Sequence, residues 1–344
     1  MSNLSTEKRL KLKIVTATRW PSFMNVAVLM KRVLSKYCSC TICDQVNVKK
    51  GGNILFIGTV SQDSLILLGK FLEDSNIVFY GTIEGHSFLT EDSRRIANHL
   101  KIVAVSNFVK QMLEEVGLSV AGTVHHGVDM HERKVDLQFY EMLKRKFENK
   151  TILFTVSANH SRKGLETLLQ GYQHIEAKMK NTVLILHSEP TGYFPLSEIA
   201  ERLKLERFWL TDLFGKLSLS KLNAFYKLCH IYVQPSYCEG FGLPIIEAFR
   251  FDKPVIAVNA PPFNEIVKQR ETGILMPVRQ ITWFNYENKV LFKIHRYNVE
   301  DLANAIVEIM TNPHFLTEMQ ENIRKEKNRW NIYNLYPNIL KYFS

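Results

Sequence analysis

The stretch PSYCEGFGLPIIEAFRFDKPV, from Pro235 to Val255, carries two glutamates, Glu239 and Glu247, on either side of a turn with two glycines. Residues 231–236 read as a strand leading into it, and Pro244 suits the first turn of a helix, where its missing N–H costs nothing. Glutamates eight residues apart are not neighbours on one helix face, since such neighbours are three or four residues apart. A strand, a glycine turn and a helix start are typical of a phosphate-binding loop, because the first N–H groups and the dipole of the helix face the anion.

The two glutamates are expected to face different parts of one extended ligand. Glu239 lies at the carboxyl end of the predicted strand, and Glu247 lies about one turn inside the predicted helix. Between them, Gly240 and Gly242 let the backbone approach a ligand closely. Carboxylates accept hydrogen bonds well from sugar hydroxyls, which therefore suit such a site.

A second candidate anion site lies in SANHSRKGLETLL, residues 157–169. Arg162 and Lys163 stand in a loop just ahead of a predicted helix that begins near Gly164. Two cations beside a helix N-terminus suit a diphosphate. A solvated basic turn is the alternative that these residues alone leave open.

Short Val- and Ile-rich runs alternate with helical patterns along most of the chain, which predicts an α/β fold with parallel sheets. Strands are predicted at 11–18, 53–58, 76–81, 101–106, 151–158, 182–187, 207–212, 231–236 and 254–259. The alternation is interrupted once by a charged helical segment without an apolar run. We therefore predict two doubly wound, Rossmann-like domains facing a cleft that holds the ligand. The predicted divisions are a first domain at 1–130, a linker helix at 131–150, a second domain at 151–318, and helices at 319–344 that return toward the first domain.

Composition limits the classes of partner and compartment. The chain of 344 residues has a formal charge of +10 and a pI near 9.2, which favours anionic partners such as phosphorylated small molecules, an acidic membrane surface or nucleic acid. No segment resembles a signal peptide or a membrane span, and five cysteines suit a reduced compartment, so a cytoplasmic protein is expected. Cys38, Cys40 and Cys43 lack the second ligand pair that a closed zinc site needs, and no metal site is predicted.

Several motifs together resemble the retaining glycosyltransferases of family 4, which have the GT-B architecture. The most specific is EGFGLPIIEA followed by KPVIA, at 239–257. The segments KIVAVSNFVKQMLEEVG (101–117) and VHHGVD (124–129) resemble the end of the family's first domain, with His126 in place of the usual asparagine. SRKG and NEIVKQRETGILMPV (264–278) resemble parts of its second domain. The resemblance is strong over about 100 to 280 and weak elsewhere.

This resemblance implies roles for the glycine turn and its glutamates. Glu247 would hold the ribose hydroxyls of a nucleotide-diphosphate sugar, and Glu239 would contact hydroxyls of the transferred sugar near the donor phosphate. The main-chain amides around Phe241, Gly242 and Leu243 would bind the sugar and the diphosphate. The second domain would then bind the donor, and the first would face the acceptor.

The resemblance also implies which groups support the chemistry. Lys163, helped by Arg162, would stabilise the leaving diphosphate, and His86 in IEGHSF would contact the transferred sugar. The implied reaction is hexosyl transfer with retention of configuration, without a divalent metal or other cofactor. The acceptor, whether glycan, lipid or protein, is not identified.

Two departures from the family pattern affect the expected binding site. Residues 18–25, TRWPSFMN, replace the family's glycine-rich loop after the first strand, a region that closes on donor and acceptor. Ser157 stands where the family carries a further arginine, so diphosphate binding would depend more on Arg162.

An insertion at 279–297 mixes aromatic and basic residues. It is predicted as a β-hairpin with its turn at 286–288, while base stacking or contact with an anionic membrane are its alternatives.

Other functions remain open at this stage. A nucleotide-sugar epimerase could use the same architecture, with an acid and base pair around the sugar and no acceptor site. A non-catalytic nucleic-acid-binding protein would fit the positive charge. The basic residues are scattered, however, and no nucleic-acid motif is present, which disfavours nucleic acid as the partner.

Overall fold

The structure, a computed structural model, describes residues 10–18, 21–43, 45, 48–211 and 213–344. The chain divides into two compact units. The first contains the described residues up to Gly127, Asn285–Leu291 and Trp330–Ser344, and the second contains Val128–Phe284 and Phe292–Arg329. Residues 131–150, predicted as a linker, group with the second unit. Predictions that involve residues 1–9, Arg19, Trp20 or Asp212 lie outside the described residues.

The first unit is built on a parallel sheet. The strands of this unit are β1 (Lys11–Thr16), β2 (Ser39–Cys43), β3 (Gly52–Thr59), β4 (Ser75–Thr82), β5 (Gly85–Ser87), β6 (Lys101–Ala104) and β7 (Gly122–Thr123), of which β5 lies outside the parallel sheet. Its first helices are α1 (Pro21–Leu34), α2 (Gln62–Gly69), α3 (Glu91–Asn98) and α4 (Asn107–Glu115). Among the described residues the sheet order is β2–β1–β3–β4–β6–β7. The middles of β3 and β4 are buried, as expected of strands covered on both faces.

The second unit contains another parallel sheet. Its elements are α5 (Leu137–Lys146), β8 (Thr151–Val156), α6 (Leu165–Lys178), β9 (Thr182–His187), α7 (Leu196–Arg202), β10 (Phe208–Thr211), α8 (Leu219–Leu228), β11 (Ile231–Val233), α9 (Leu243–Arg250), β12 (Val255–Val258), α10 (Phe263–Ile266) and β13 (Gly273–Met276). In the described part of this unit the sheet order is β10–β9–β8–β11–β12–β13. The carboxyl ends of β8 and β11, two neighbouring strands, lead into the two predicted anion-binding loops.

The insertion at 279–297 forms the predicted hairpin, with strands β14 (Gln280–Tyr286) and β15 (Val290–Arg296). Glu287 and Asn288 both have φ of 52°, and the amide of Lys289 donates to the carbonyl of Tyr286 at 2.9 Å, which closes a tight turn. The hairpin tip belongs to the first unit, where the amide of Phe88 donates to the carbonyl of Lys289 at 3.1 Å. The helices α11 (Val299–Met310), α12 (Pro313–Glu326) and α13 (Ile332–Leu335) follow, with short 3-10 turns at Lys327–Trp330 and Tyr336–Tyr342.

Ser106 and Gly117 mark the two ends of α4, whereas the strands β2, β5, β7 and β13 were not predicted from the sequence. Ser106 caps α4, because its hydroxyl accepts from the amide of Val109 at 3.0 Å. Gly117, just past that helix, has a φ of 81°. By contrast, β2 consists of Cys, Thr and Ser with one Ile, and the apolar run within β13 is only three residues long, Ile274–Met276.

Candidate active site

Glu239 lies at the centre of a buried ion-pair cluster in the second unit. Glu239 as a whole is only 9% exposed. The ammonium nitrogen Nζ of Lys163 lies 2.5 Å from its Oε1, and Nη1 of Arg162 lies 2.9 Å from its Oε2. Arg162 also donates to the carbonyl of Cys238 at 3.0 Å. The structure therefore brings together the two loops that the sequence predicted as separate anion sites, and their charged side chains form direct ion pairs.

Neutral side chains complete the surroundings of the Glu239 carboxylate. The hydroxyl of Ser236 donates to its Oε1 at 2.8 Å, and the amide of Gln234 donates to the same oxygen at 3.3 Å. Gln234 is itself held by the hydroxyl of Tyr232, which donates to its Oε1 at 3.0 Å. Sequence reasoning missed this set, although the polar residues after the apolar strand IYV were a usable signal.

These contacts determine the charge of Glu239. Burial alone would raise the pKa of its carboxyl group, but Lys163 and then Arg162 outweigh burial and lower that pKa to about 2. The group is therefore an anion at neutral pH and can only accept hydrogen bonds. Since two cations, Arg162 and Lys163, face one carboxylate, the cluster as a whole carries a net positive charge.

The short 3-10 turn Ser161–Lys163 that carries both cations packs directly on the backbone of the loop after β11. Gly164 ends this turn with a φ of 63°, and a Cβ there would lie 2.2 Å from the carbonyl oxygen of Pro235. The amide of Tyr237 donates to the carbonyl of Arg162 at 2.9 Å. Glycine is therefore required at 164 by both conformation and space, and the close approach sets the position of the cations relative to Glu239.

The glycine turn ends where α9 begins, as predicted. Gly242 is the residue before the helix, with a φ of 108°, and it has no side chain with which to cap the first amides. The main-chain amides of Phe241, Gly242 and Leu243 therefore lie at the positive end of α9. This arrangement suits an anion.

Glu247 lies in the second turn of α9 and is partly exposed. Its Oε2 accepts from the hydroxyl of Tyr226 at 2.7 Å. Burial, followed by the charge of Glu247, raises the pKa of Tyr226 well above its ordinary value, so the phenol remains a donor. Tyr226, on α8, was not identified from the sequence, and it orients one oxygen of the carboxylate while leaving acceptor capacity on the group.

His86 belongs to the first unit and lies on β5. Its Nε2 is 2.7 Å from Oε2 of Glu115, at the end of α4. A carboxylate partner of this kind fixes the orientation of an imidazole ring. Glu115 was not identified from the sequence.

His126, which replaces the family's asparagine, is a buried residue of the first unit. Its Nδ1 lies 3.0 Å from the hydroxyl of Tyr80, and that hydroxyl donates to the carbonyl of Val124 at 2.8 Å. The phenol proton is thus already used, so Nδ1 of His126 is the donor in the pair. Burial, followed by His125, lowers the pKa of His126 to about 3.

In the part of the chain that the structure describes, no three His, Cys, Asp or Glu side chains are grouped as metal ligands. Cys38 and Cys40 have their sulfur atoms 3.3 Å apart. No helix among the described residues is long and apolar enough to cross a bilayer.

Sequence comparisons identify relatives of this chain. The profile of the family described as glycosyl transferases group 1 matches residues 141–329. Uncharacterized glycosyltransferase 335 of Sulfolobus islandicus rod-shaped virus 1 is 24% identical over 270 residues, which cover 77% of this chain and 79% of that protein.

Solved structures with a similar fold include glycosyltransferases. HepE of Anabaena, in complex with UDP and glucose, has a TM-score of 0.72 at 15% identity, covering 96% of this chain and 98% of that one. Sucrose-phosphate synthase from Thermosynechococcus elongatus has a TM-score of 0.75 at 14% identity, covering 97% and 98%. At these identities the likeness establishes the fold, and it confirms the predicted GT-B class with two Rossmann-like domains.

Proposed function

Because the chain belongs to the family of glycosyl transferases group 1, we propose that it transfers a hexosyl group from a nucleotide-diphosphate sugar to an acceptor hydroxyl with retention of configuration. The observation that carries this proposal is the cluster of Glu239 with Arg162 and Lys163 beside the start of α9. Cations and helix amides suit the diphosphate, and a fully ionised glutamate suits sugar hydroxyls. The UDP bound in the similar HepE structure supports a nucleotide-sugar donor.

In the proposed reaction the bond between the anomeric carbon and the diphosphate oxygen breaks, and the acceptor oxygen bonds to the same face of the sugar. The acceptor proton moves to the departing diphosphate. Lys163 and Arg162 stabilise the charge that develops on that diphosphate. Glu239 positions the sugar through its hydroxyls, while the sugar contact that the family resemblance implies for His86 stays a prediction.

We further propose that the reaction requires no divalent metal. Metal-dependent enzymes of nucleotide sugars supply carboxylates to the ion, typically as an Asp-x-Asp pair, and no such pair occurs in this sequence. The carboxylate nearest the proposed diphosphate site, Glu239, is already neutralised by two cations.

A thermal-shift experiment with UDP, GDP, ADP and their glucose and mannose conjugates tests the donor proposal. A ligand that binds only the folded state at a hundredfold excess over its dissociation constant adds about 2.7 kcal/mol to the free energy of unfolding. No stabilisation by any nucleoside diphosphate would contradict the proposed function. A sugar isomerised without an acceptor would favour the epimerase, and a salt-dependent gel shift would favour nucleic-acid binding.

We also propose that the protein makes a peripheral contact with an anionic membrane. Ile281 and Trp283 on β14 are 55% and 43% exposed, and strand geometry places them on one face of the hairpin. The chain's charge of +10 complements anionic lipid. Co-sedimentation with phosphatidylserine vesicles that is lost in Ile281→Ser/Trp283→Ser would support this contact, and equal sedimentation of both proteins would refute it. The cytoplasmic location stays a prediction.

A further inference from the structure

The hairpin 280–296 contacts the proposed diphosphate site through Phe292. This side chain is 5% exposed, and its ring centroid lies 5.6 Å from the guanidinium carbon of Arg162. The ring of His160 meets it edge-on at 6.0 Å, and the ring of Phe284 lies nearly parallel to it at 6.5 Å. Phe292 is therefore held between its neighbours while it borders the arginine that binds Glu239.

The end of the same hairpin is joined to the loop that precedes Glu239. The amide of His295 donates to the carbonyl of Tyr237 at 3.1 Å, and the guanidinium of Arg296 lies 5.1 Å from the ring centroid of Tyr237. Just beyond the hairpin, the hydroxyl of Tyr297 donates to the carbonyl of Pro235 at 2.8 Å. The hairpin thus holds the loop and the arginine as one assembly.

We propose that Phe292 is a positioning residue for the donor diphosphate and acts by orienting Arg162. This inference rests on the proposed function. An aromatic ring attracts a guanidinium group while leaving the N–H donors at the edge of the guanidinium free to bind oxygen. Arg162 can therefore exchange the carboxylate of Glu239 for diphosphate oxygens without leaving the ring. Restricting its rotamers before the donor arrives lowers the entropic cost of binding.

The test is a double-mutant cycle read out by nucleoside diphosphate affinity. The probe is whichever of UDP, GDP and ADP binds the wild-type protein best in titration calorimetry. Phe292→Leu keeps the apolar volume but removes the aromatic ring, and it is expected to weaken binding about threefold to tenfold, the range that a partly buried cation–π contact implies. Phe292→Tyr retains the ring and is expected to bind as the wild type does. Trp283→Leu is the matched control on the opposite face of the hairpin, and it is expected to leave the affinity unchanged.

Measuring the effect of Phe292→Leu in the Arg162→Gln variant distinguishes the positioning of Arg162 from a general structural effect of the substitution. Arg162→Gln is expected to weaken binding, and adding Phe292→Leu to it is expected to cause no further loss, because the partner of the ring is gone. Equal loss from Phe292→Leu in both backgrounds, or no loss in the wild-type background, would overturn the inference while the proposed function stands. No nucleoside diphosphate binding by the wild type, or unchanged binding by Arg162→Gln, would instead remove the proposed diphosphate site, and this inference with it.

Discussion

The ammonium group of Lys163 lies 2.5 Å from Oε1 of Glu239, so a cation assigned to the leaving diphosphate is paired with the carboxylate assigned to the sugar. Arg162 holds the other oxygen at 2.9 Å. A donor that places its diphosphate beside the cations and its sugar beside the glutamate would supply each group with a new partner. In the proposed reaction, the ion pairs would keep the site ordered until the donor binds.

Lys163→Ala is expected to lower kcat by about a hundredfold or more, since the lysine charge matters most as the diphosphate departs. The fold should persist, because Arg162 and Ser236 still bind Glu239. Turnover and thermal stability are measured together, with Lys178→Ala, an exposed lysine at the end of α6, as the control. Near-normal turnover in a folded Lys163→Ala protein would assign the role to another cation.

Glu247→Ala is expected to weaken nucleoside diphosphate binding by about tenfold to a hundredfold, because a hydrogen bond to a charged group contributes roughly 1.5–3 kcal/mol. Tyr226→Phe removes only the hydroxyl that orients the carboxylate and should cause a smaller loss. Titration calorimetry compares the three proteins. An unchanged affinity in Glu247→Ala would contradict its assignment to the ribose.

His126→Asn is expected to make the protein less sensitive to acid. The pKa of the buried His126 is about 3 in the folded state, below the ordinary value of 6.5. Between these values the unfolded chain binds a proton that the folded chain does not, so the free energy of unfolding falls as pH falls. Urea unfolding at pH 7 and pH 5 should show that the variant loses about 2 kcal/mol less than the wild type over this interval. An identical pH dependence in both proteins would show that His126 titrates normally.

Sugar transfer is expected to survive exhaustive treatment with EDTA. Arg162, Lys163 and the start of α9 provide positive potential where other enzymes place an ion. Activity is compared after EDTA alone and after adding back Mg²⁺ or Mn²⁺. Loss with EDTA and recovery with either ion would refute metal independence.

The sequence alone determined those features that depend on residues near one another in the chain. Ser106 as a helix cap, Gly242 before α9 and the hairpin turn at Glu287 and Asn288 follow from local backbone chemistry. The run of residues 239–248 likewise identified the glycine turn with its glutamates. Apolar runs marked the central strands because these are buried on both faces.

Only the tertiary structure decided which distant groups meet. Lys163 and Glu239 are 76 residues apart in the chain, and their contact exists because β8 and β11 are neighbours in the sheet. The same applies to the pairing of His86 with Glu115 and to the ring of Phe292 beside Arg162. Local patterns specify a strand or a helix, but strand order and side-chain packing depend on long-range burial, which no short stretch of sequence encodes.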